Sequence, residues 1–281
     1  MIELNITVVG LGLIGGSLAM ALKDLKPKNL WGIDIEKSTI EAAEKKCIIH
    51  KGYTKPEIPL KHSDIVIIAL YPNLTEKFVK DNIKNFKKGA IITDVAGIKE
   101  NLVNNINSFI PKSLDFIGGH PMAGSENKGL SFASKDIFND ANYIITPVEK
   151  NREENIKILE SIAKKIGCKN VVRITPKAHD EIIAFTSHLT HVLAVALINS
   201  DILNVETSLF IAGSFKDGTR VADINSSLWV ELLTSNRKNI INKIEVFEEK
   251  IETIKNAIKE NNKSIIKSEF EKASLRRKEL V

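Results

Sequence analysis

At 281 residues, 43% hydrophobic and 27% charged, the chain is long enough for two domains with real cores and too apolar to be disordered. Its net charge of +5 comes from lysines scattered among glutamates, and aromatics are only 6%, so no basic block or stacking platform marks a nucleic-acid binder; a mildly positive site for an anionic small-molecule substrate fits the same balance. Cys47 and Cys168 lie far apart without CxxC spacing, as two unpaired thiols of a reducing compartment, no basic leader precedes the first strand pattern, and no apolar run approaches the ~20 residues of a membrane span, so a cytoplasmic protein without membrane contact is expected.

Short apolar runs alternate with helical patterns through the first half of the chain. Ile6–Val9 reads as a buried strand, Gly15–Leu25 as a helix, Leu30–Asp34 as a second strand and Ser38–Lys46 as a helix. Asp64–Leu70 (DIVIIAL) lacks polar alternation, as a strand covered on both faces does. A helix over Leu74–Asn85 and a strand over Ala90–Asp94 follow. Phe116–Gly118 and Tyr143–Thr146 read as strands, Glu153–Ile166 as a helix and Asn170–Arg173 as a short last strand. This alternation predicts an α/β Rossmann domain with a doubly wound, mostly parallel sheet.

Past Pro176 the strand signals nearly vanish. His179–Ile202 reads as one largely apolar helix, Val205–Ile211 and Ser226–Asn236 as two more. Ile244, Phe247, Ile251, Ile254 and Ile258 recur every three or four residues, as on an amphipathic helix. The predicted division is a Rossmann domain over residues 1–175 and an all-α domain over residues 176–281. A helix apolar all round is a buried helix, so His179–Ile202 predicts a homodimer packed through the second domain.

Between the first strand and the first helix runs Gly10-Leu11-Gly12-Leu13-Ile14-Gly15, a GxGxxG motif in its confirming context. Gly10 permits the tight turn, Gly12 lets the backbone approach a pyrophosphate at the helix N-terminus, and Gly15 allows close helix–strand packing. Asp34 ends the second strand, where a carboxylate accepts hydrogen bonds from the adenosine ribose and repels a 2′-phosphate. The predicted cofactor is NAD rather than NADP, a preference that nearby Lys37 tempers.

A nicotinamide enzyme needs a group that takes the carbinol proton as hydride leaves, and histidine titrates in the right range. His50 and His62 sit in Rossmann connections without polar company and read as surface residues. His120 stands in Gly118-Gly119-His120-Pro121-Met122-Ala123-Gly124, a loop placed directly after a strand, where an open sheet presents its ligand crevice. His188 and His191 lie three apart in Ser187-His188-Leu189-Thr190-His191 and share a helix face. Without an HExxH or a further ligand they make no metal site, which leaves an anchor for an anionic substrate or a hydrogen-bonded core pair. Phe215–Arg220 reads as a polar loop between helices, in which Arg220 either holds a carboxylate bidentately or pairs with Asp217 at the surface.

Together GLGLIGGS (10–17), GGHPMAGSE (118–126), SHLTH (187–191) and DGTR (217–220) with Trp229 resemble the prephenate dehydrogenase family, including the arogenate and cyclohexadienyl dehydrogenases, over nearly the whole chain. The resemblance implies a Rossmann domain, a helical dimerisation domain, and NAD-dependent oxidative decarboxylation of prephenate to 4-hydroxyphenylpyruvate in tyrosine biosynthesis. It makes His120 the base toward the ring hydroxyl and Arg220 the grip on a substrate carboxylate. Ser187, His188 and His191 would line the pocket, and Ser125 would touch substrate from the His120 segment. Aromatisation supplies the driving force, so no metal is expected. Where the family often carries an Asp-x-x-Ser-x-Lys pattern whose serine orients the histidine, this chain reads Asp94-Val95-Ala96-Gly97-Ile98-Lys99. Gly97 has no hydroxyl, so water, another group or a different transfer geometry takes its place.

Prephenate and arogenate differ only in keto versus amino on the side chain, far from His120, so an arogenate dehydrogenase giving tyrosine directly is the alternative. Further off stand two rivals. An NAD-dependent β-hydroxyacid dehydrogenase resembles its relatives in a catalytic lysine on a Gly-rich helix, and residues 179–202 hold no such segment. A non-catalytic NAD-sensing protein needs the glycine loop but neither His120 nor Arg220. One last charged helix ends the chain, and with no added regulatory domain expected, any inhibition by tyrosine would act at the active site.

Overall fold

The computed structural model describes residues 2–124, 127–200 and 205–280. In its first part β1 (Ile2–Val9), α1 (Leu13–Asp24), β2 (Pro27–Ile33), α2 (Lys37–Lys45), β3 (Lys51–Tyr53), α3 (Glu57–His62), β4 (Ile65–Ile68), α4 (Pro72–Asp81), β5 (Ile91–Asp94), α5 (Glu100–Phe109), β6 (Asp115–Pro121), β7 (Asn142–Thr146), α6 (Glu153–Lys165) and β8 (Asn170–Arg173) follow one another. The strands form one sheet in the order β3-β2-β1-β4-β5-β6-β7-β8. Each neighbouring pair is parallel except β6 and β7, which are antiparallel with His120 opposite Ile144. Strand order reverses between β1 and β4, which places a ligand crevice at their carboxyl ends.

Successive residues of β4 point to opposite faces, and both faces are covered. Ile65 and Ile67 join Leu18, Leu22, Ile156 and Leu159 in one core, while Val66 and Ile68 join Val79, Leu102, Ile106 and Phe116 in the other. Each such side chain, fully buried, contributes about 1.5–3 kcal/mol. This double burial is why DIVIIAL carries no polar alternation. Three elements lack a sequence signal: β3 is three residues long, α3 contains Pro59, and α5 hides its buried Leu102, Val103 and Ile106 among asparagines.

The second part is helical: α7 (Pro176–Ile183), a π-helical turn over Ala184–Leu189, α8 (Thr190–Asn199), α9 (Val205–Ser208), α10 (Gly213–Thr219), α11 (Ser226–Ser235), α12 (Arg237–Lys259) and α13 (Lys263–Glu279). Thr175 starts α7 by accepting a 3.2 Å hydrogen bond from the Ala178 N–H at Oγ1, and Pro176 takes a first-turn position where its missing N–H is harmless. The long helix therefore begins three residues before His179, and its expected end at Ile202 lies outside the described residues. Read from Pro176 to Asn199 it is long and apolar enough to cross a membrane, with only 28% of its most apolar stretch buried. That corrects the expectation from apolar letters alone, because Thr, Ser and His interrupt the run without ending the helix.

The Phe215–Arg220 stretch is also corrected. It is not a loop: it lies in α10 and at the start of a 3-10 turn over Arg220–Ala222. Within it Thr219 returns its hydroxyl to the Phe215 carbonyl at 2.6 Å, a bond a helical backbone leaves open to threonine.

The helical part docks on the N-terminal ends of α4 and α5. Asp180 of α7 accepts the Lys99 N–H at Oδ1 and the Glu100 N–H at Oδ2, both at 2.8 Å, and so caps α5. Asn101 donates to the Ser235 carbonyl at 3.2 Å, Asn225 donates to the Tyr71 hydroxyl, and the Asn73 N–H donates to Glu231. These contacts bring α7 and α11 over the carboxyl ends of the parallel strands.

Candidate active site

The glycine loop leaves β1 in a turn that only glycine serves. Gly10 has φ +84°, and a Cβ there would lie 2.6 Å from the Ala69 carbonyl oxygen. At Gly15 a Cβ would meet the Gly10 carbonyl oxygen at 1.8 Å, so α1 packs closer to the turn than any side chain allows. Gly12 is the opposite case. It precedes α1 without a side-chain cap, and a Cβ added to it meets nothing within 4 Å. The first-turn N–H groups of α1, from Leu13 and Ile14 onward, have no intrahelical acceptors and face an anion site. Asp34 is fixed beside them, accepting the Leu11 N–H at 2.8 Å and the Glu36 N–H at 2.9 Å.

His120 stands on a strand, which corrects its expected loop position. Beyond Ile117 the parallel partner β5 ends, and antiparallel β7 carries β6 on through Pro121; the glycines and proline mask this in the sequence. The half-buried imidazole has its Nδ1 2.9 Å from His179 Nε2, and His179 Nδ1 lies 2.7 Å from Asp180 Oδ1. Beside them Lys99 and Asp94 form an ion pair at 2.5 Å with both side chains fully buried. Asp94 also accepts the N–H groups of Ala96 at 2.9 Å and Gly119 at 3.2 Å. Burial, then the neighbouring His179, Lys99 and His188, hold the His120 pKa well below the usual histidine value. Burial likewise lowers that of His179, against the pull of Asp180. Both rings are therefore neutral at pH 7, and neutral is the form in which a histidine accepts a proton.

The π-helical turn delivers Ser187 and His188, and Trp229 of α11 gathers the next two histidines. His191 stacks on its ring at 3.8 Å, and His188 meets it edge-on at 5.7 Å. His191 donates from Nδ1 to the Ser187 carbonyl at 2.9 Å. Asn236 donates to His188 Nδ1 at 3.3 Å and to the Asp180 carbonyl at 2.8 Å. That leaves His188 a donor at Nε2. Burial pushes its pKa down to about 4, so at pH 7 it is a neutral hydrogen-bond donor and not a cation.

This arrangement places a dinucleotide cradle after β1 and a neutral histidine on β6 in one sheet. The family model for the prephenate dehydrogenase nucleotide-binding domain matches residues 18–172, and that for the prephenate dehydrogenase dimerization domain matches residues 175–272. The chain belongs to the prephenate dehydrogenase family. Prephenate dehydrogenase of Bacillus subtilis is 30% identical over 264 residues, covering 92% of this chain and 71% of that protein. The crystal structure of Aquifex aeolicus prephenate dehydrogenase in complex with hydroxyphenyl propionate and NAD+ superposes with a TM-score of 0.91 at 26% identity, covering 100% of this chain and 99% of that one. Synechocystis arogenate dehydrogenase gives a TM-score of 0.84 at 26% identity over 98% of this chain and 99% of that one.

Against this family frame, the residues expected from sequence fall into distinct places. Gly10 to Gly15 and Asp34 meet at the end of β1. His188 lies close enough to His120 to act on its charge, shares Trp229 with His191, and His191 is tied back to the Ser187 carbonyl. Arg220 is exposed on the 3-10 turn, which packs against α8, the helix of His191. Ser125 lies outside the described residues. His50 is not without polar company, since its Nδ1 accepts the Leu30 N–H at 2.9 Å, a strand-edge bond no local pattern announces. The sequence pattern singles out neither His179 nor Asp180, and it includes Lys99 only as the end of the Asp94–Lys99 stretch. An adjacent His-Asp pair one turn into a Thr-Pro-capped helix was the available signal. Among the described residues no group of three or more His, Cys, Asp or Glu is placed to hold a metal ion.

Proposed function

We propose that this chain catalyses the oxidative decarboxylation of prephenate to 4-hydroxyphenylpyruvate with NAD, as a cytoplasmic homodimer. The carrying observation is His120, a neutral imidazole on the sheet whose β1 leads into the glycine cradle, in a chain alike over its whole length to an enzyme solved with hydroxyphenyl propionate and NAD+. The residues fit the dinucleotide: Gly12 faces open space at an uncapped helix N-terminus, and Asp34 is held beside it. NAD, when bound, accepts a hydride from the substrate.

In this reading the N–H groups around Leu11, Gly12, Leu13 and Ile14 hold the pyrophosphate between Gly10 and Gly15, and Asp34 receives the ribose hydroxyls. His120 takes the proton of the ring hydroxyl. As carbon dioxide departs, the electron pair of the broken C–C bond aromatises the ring, and His120 returns the proton to the phenolate oxygen. Arg220 binds a substrate carboxylate as a fork, while Ser187, His188, His191 and Ser125 line the pocket. Residues 1–175 serve the cofactor and residues 176–281 the substrate and the dimer contact. The sheet's end at Arg173 and the helix start at Pro176 support that division.

Steady-state kinetics crossing prephenate and arogenate with NAD and NADP test the reaction, and prephenate with NAD is expected to give the highest kcat/KM. His120→Asn is expected to lose about 10²- to 10⁴-fold in kcat with NAD affinity unchanged. Arg220→Ala is expected to raise KM for prephenate about 10- to 100-fold and leave KM for NAD alone. Wild-type turnover in the first variant, or equal effects on both Michaelis constants in the second, removes the residue from its role.

A further inference from the structure

We infer that the base is completed by the helical domain: His179 and Asp180 set the tautomer and orientation of His120 and share the proton it accepts. The inference rests on the proposed role of His120, and it begins at Asp180. Each of its carboxylate oxygens already receives a backbone N–H, Oδ1 from Lys99 and Oδ2 from Glu100. An oxygen on which amides converge is an acceptor, so His179 Nδ1, 2.7 Å from Oδ1, is the donor and carries a hydrogen. His179 is neutral, so its Nε2 holds a lone pair. That lone pair faces His120 Nδ1 at 2.9 Å. His120 must then carry its own hydrogen on Nδ1, which leaves Nε2 bare to receive a proton. A free histidine side chain prefers the other tautomer, so the arm selects the form a base needs.

The same line accommodates the charge. A proton entering at His120 Nε2 makes an imidazolium whose Nδ1–H already points at His179. If that hydrogen passes to His179 Nε2, the charge faces the Asp180 carboxylate. When the phenolate takes a proton from Nε2, the hydrogen on His179 Nε2 returns and every group is as it began. The groups facing His120 set the balance: Lys99 at the start of α5 and His188 in the π-helical turn oppose its resting protonation, while Asp180 on α7 and Asp94 at the end of β5 favour that of its partner His179.

Position 97 points the same way. A Cβ at Gly97 would sit in ordinary contact with Leu232 at 3.5 Å and His120 Cε1 at 3.9 Å. There is room for a side chain beside the imidazole, yet the chain supplies none. His179 and Asp180 are positioning residues, delivered from the second domain.

Nitrogen-15 NMR of histidine-labelled protein reads the tautomers without turnover, so its outcome is separable from any failure of the proposed reaction. His120 and His179 are both expected as Nδ1–H forms at pH 7. His179→Phe removes the acceptor and is expected to lower kcat about 10²- to 10³-fold, with NAD affinity and KM for prephenate within about threefold. His179→Gln keeps an acceptor near the Nε2 position and is expected to recover most of that loss. An Nε2–H tautomer for wild-type His120, wild-type turnover in the Phe variant, or a Gln variant as slow as the Phe variant overturns the inference.

Discussion

Among the described residues, a lysine, Lys99, is as fully withdrawn from water as the core phenylalanines Phe116 and Phe138. Taking an ammonium out of water costs several kcal/mol unless a close counter-charge offsets it. Asp94 does so at 2.5 Å, and burial still lowers the Lys99 pKa below its ordinary value. The pair adds little net stability, but either partner alone is costly. Lys99→Met is therefore expected to destabilise the fold by about 3–5 kcal/mol in urea titrations, and Lys99→Met with Asp94→Asn to recover much of it. A single variant as stable as wild type would mean that the pair is not buried as described.

At the scale of elements, the glycine loop offers a paired test. Gly15→Ala brings a methyl to 1.8 Å from a carbonyl oxygen, and relieving that contact is expected to cost about 1–3 kcal/mol, read from thermal melts. Gly12→Ala meets no neighbouring atom. Its melting temperature is expected to hold while NAD affinity, followed by fluorescence titration, falls at least tenfold. Full affinity in that variant would move the pyrophosphate away from the loop. This loop was legible in the sequence because it is local: strand, turn, helix and Asp34 lie within one stretch of chain. The doubly buried strands were legible for the same reason. The histidine line was not, since 59 residues separate His120 from His179 and only the docking of α7 on α5 brings them together. Nor does β6 announce its extension through His120, because the strand is completed by β7, a partner from further along the chain.

At the scale of the whole molecule, the described residues expose a broad apolar surface on the helical part. The helix from Pro176 to Asn199 is 28% buried along its most apolar stretch, and Leu209 and Phe210 are 82% and 86% exposed. Surface of this kind marks an interface. The match of residues 175–272 to a dimerization domain supports a second copy of this chain as its cover. Sedimentation in detergent-free buffer is expected to show a dimer, and Phe210→Asp to shift it toward monomer. A monomeric wild type, or one that needs detergent to stay dispersed, counts against that cover.

One carboxylate links these scales. Asp180 both accepts the first N–H groups of α5 and ends the line that arms His120. The two domains cannot swing apart without withdrawing it from both. Loss of the α5 cap and loss of the partner that holds His120 Nε2 bare are then a single event, an interlock between the docking of α7 and the tautomer of the base.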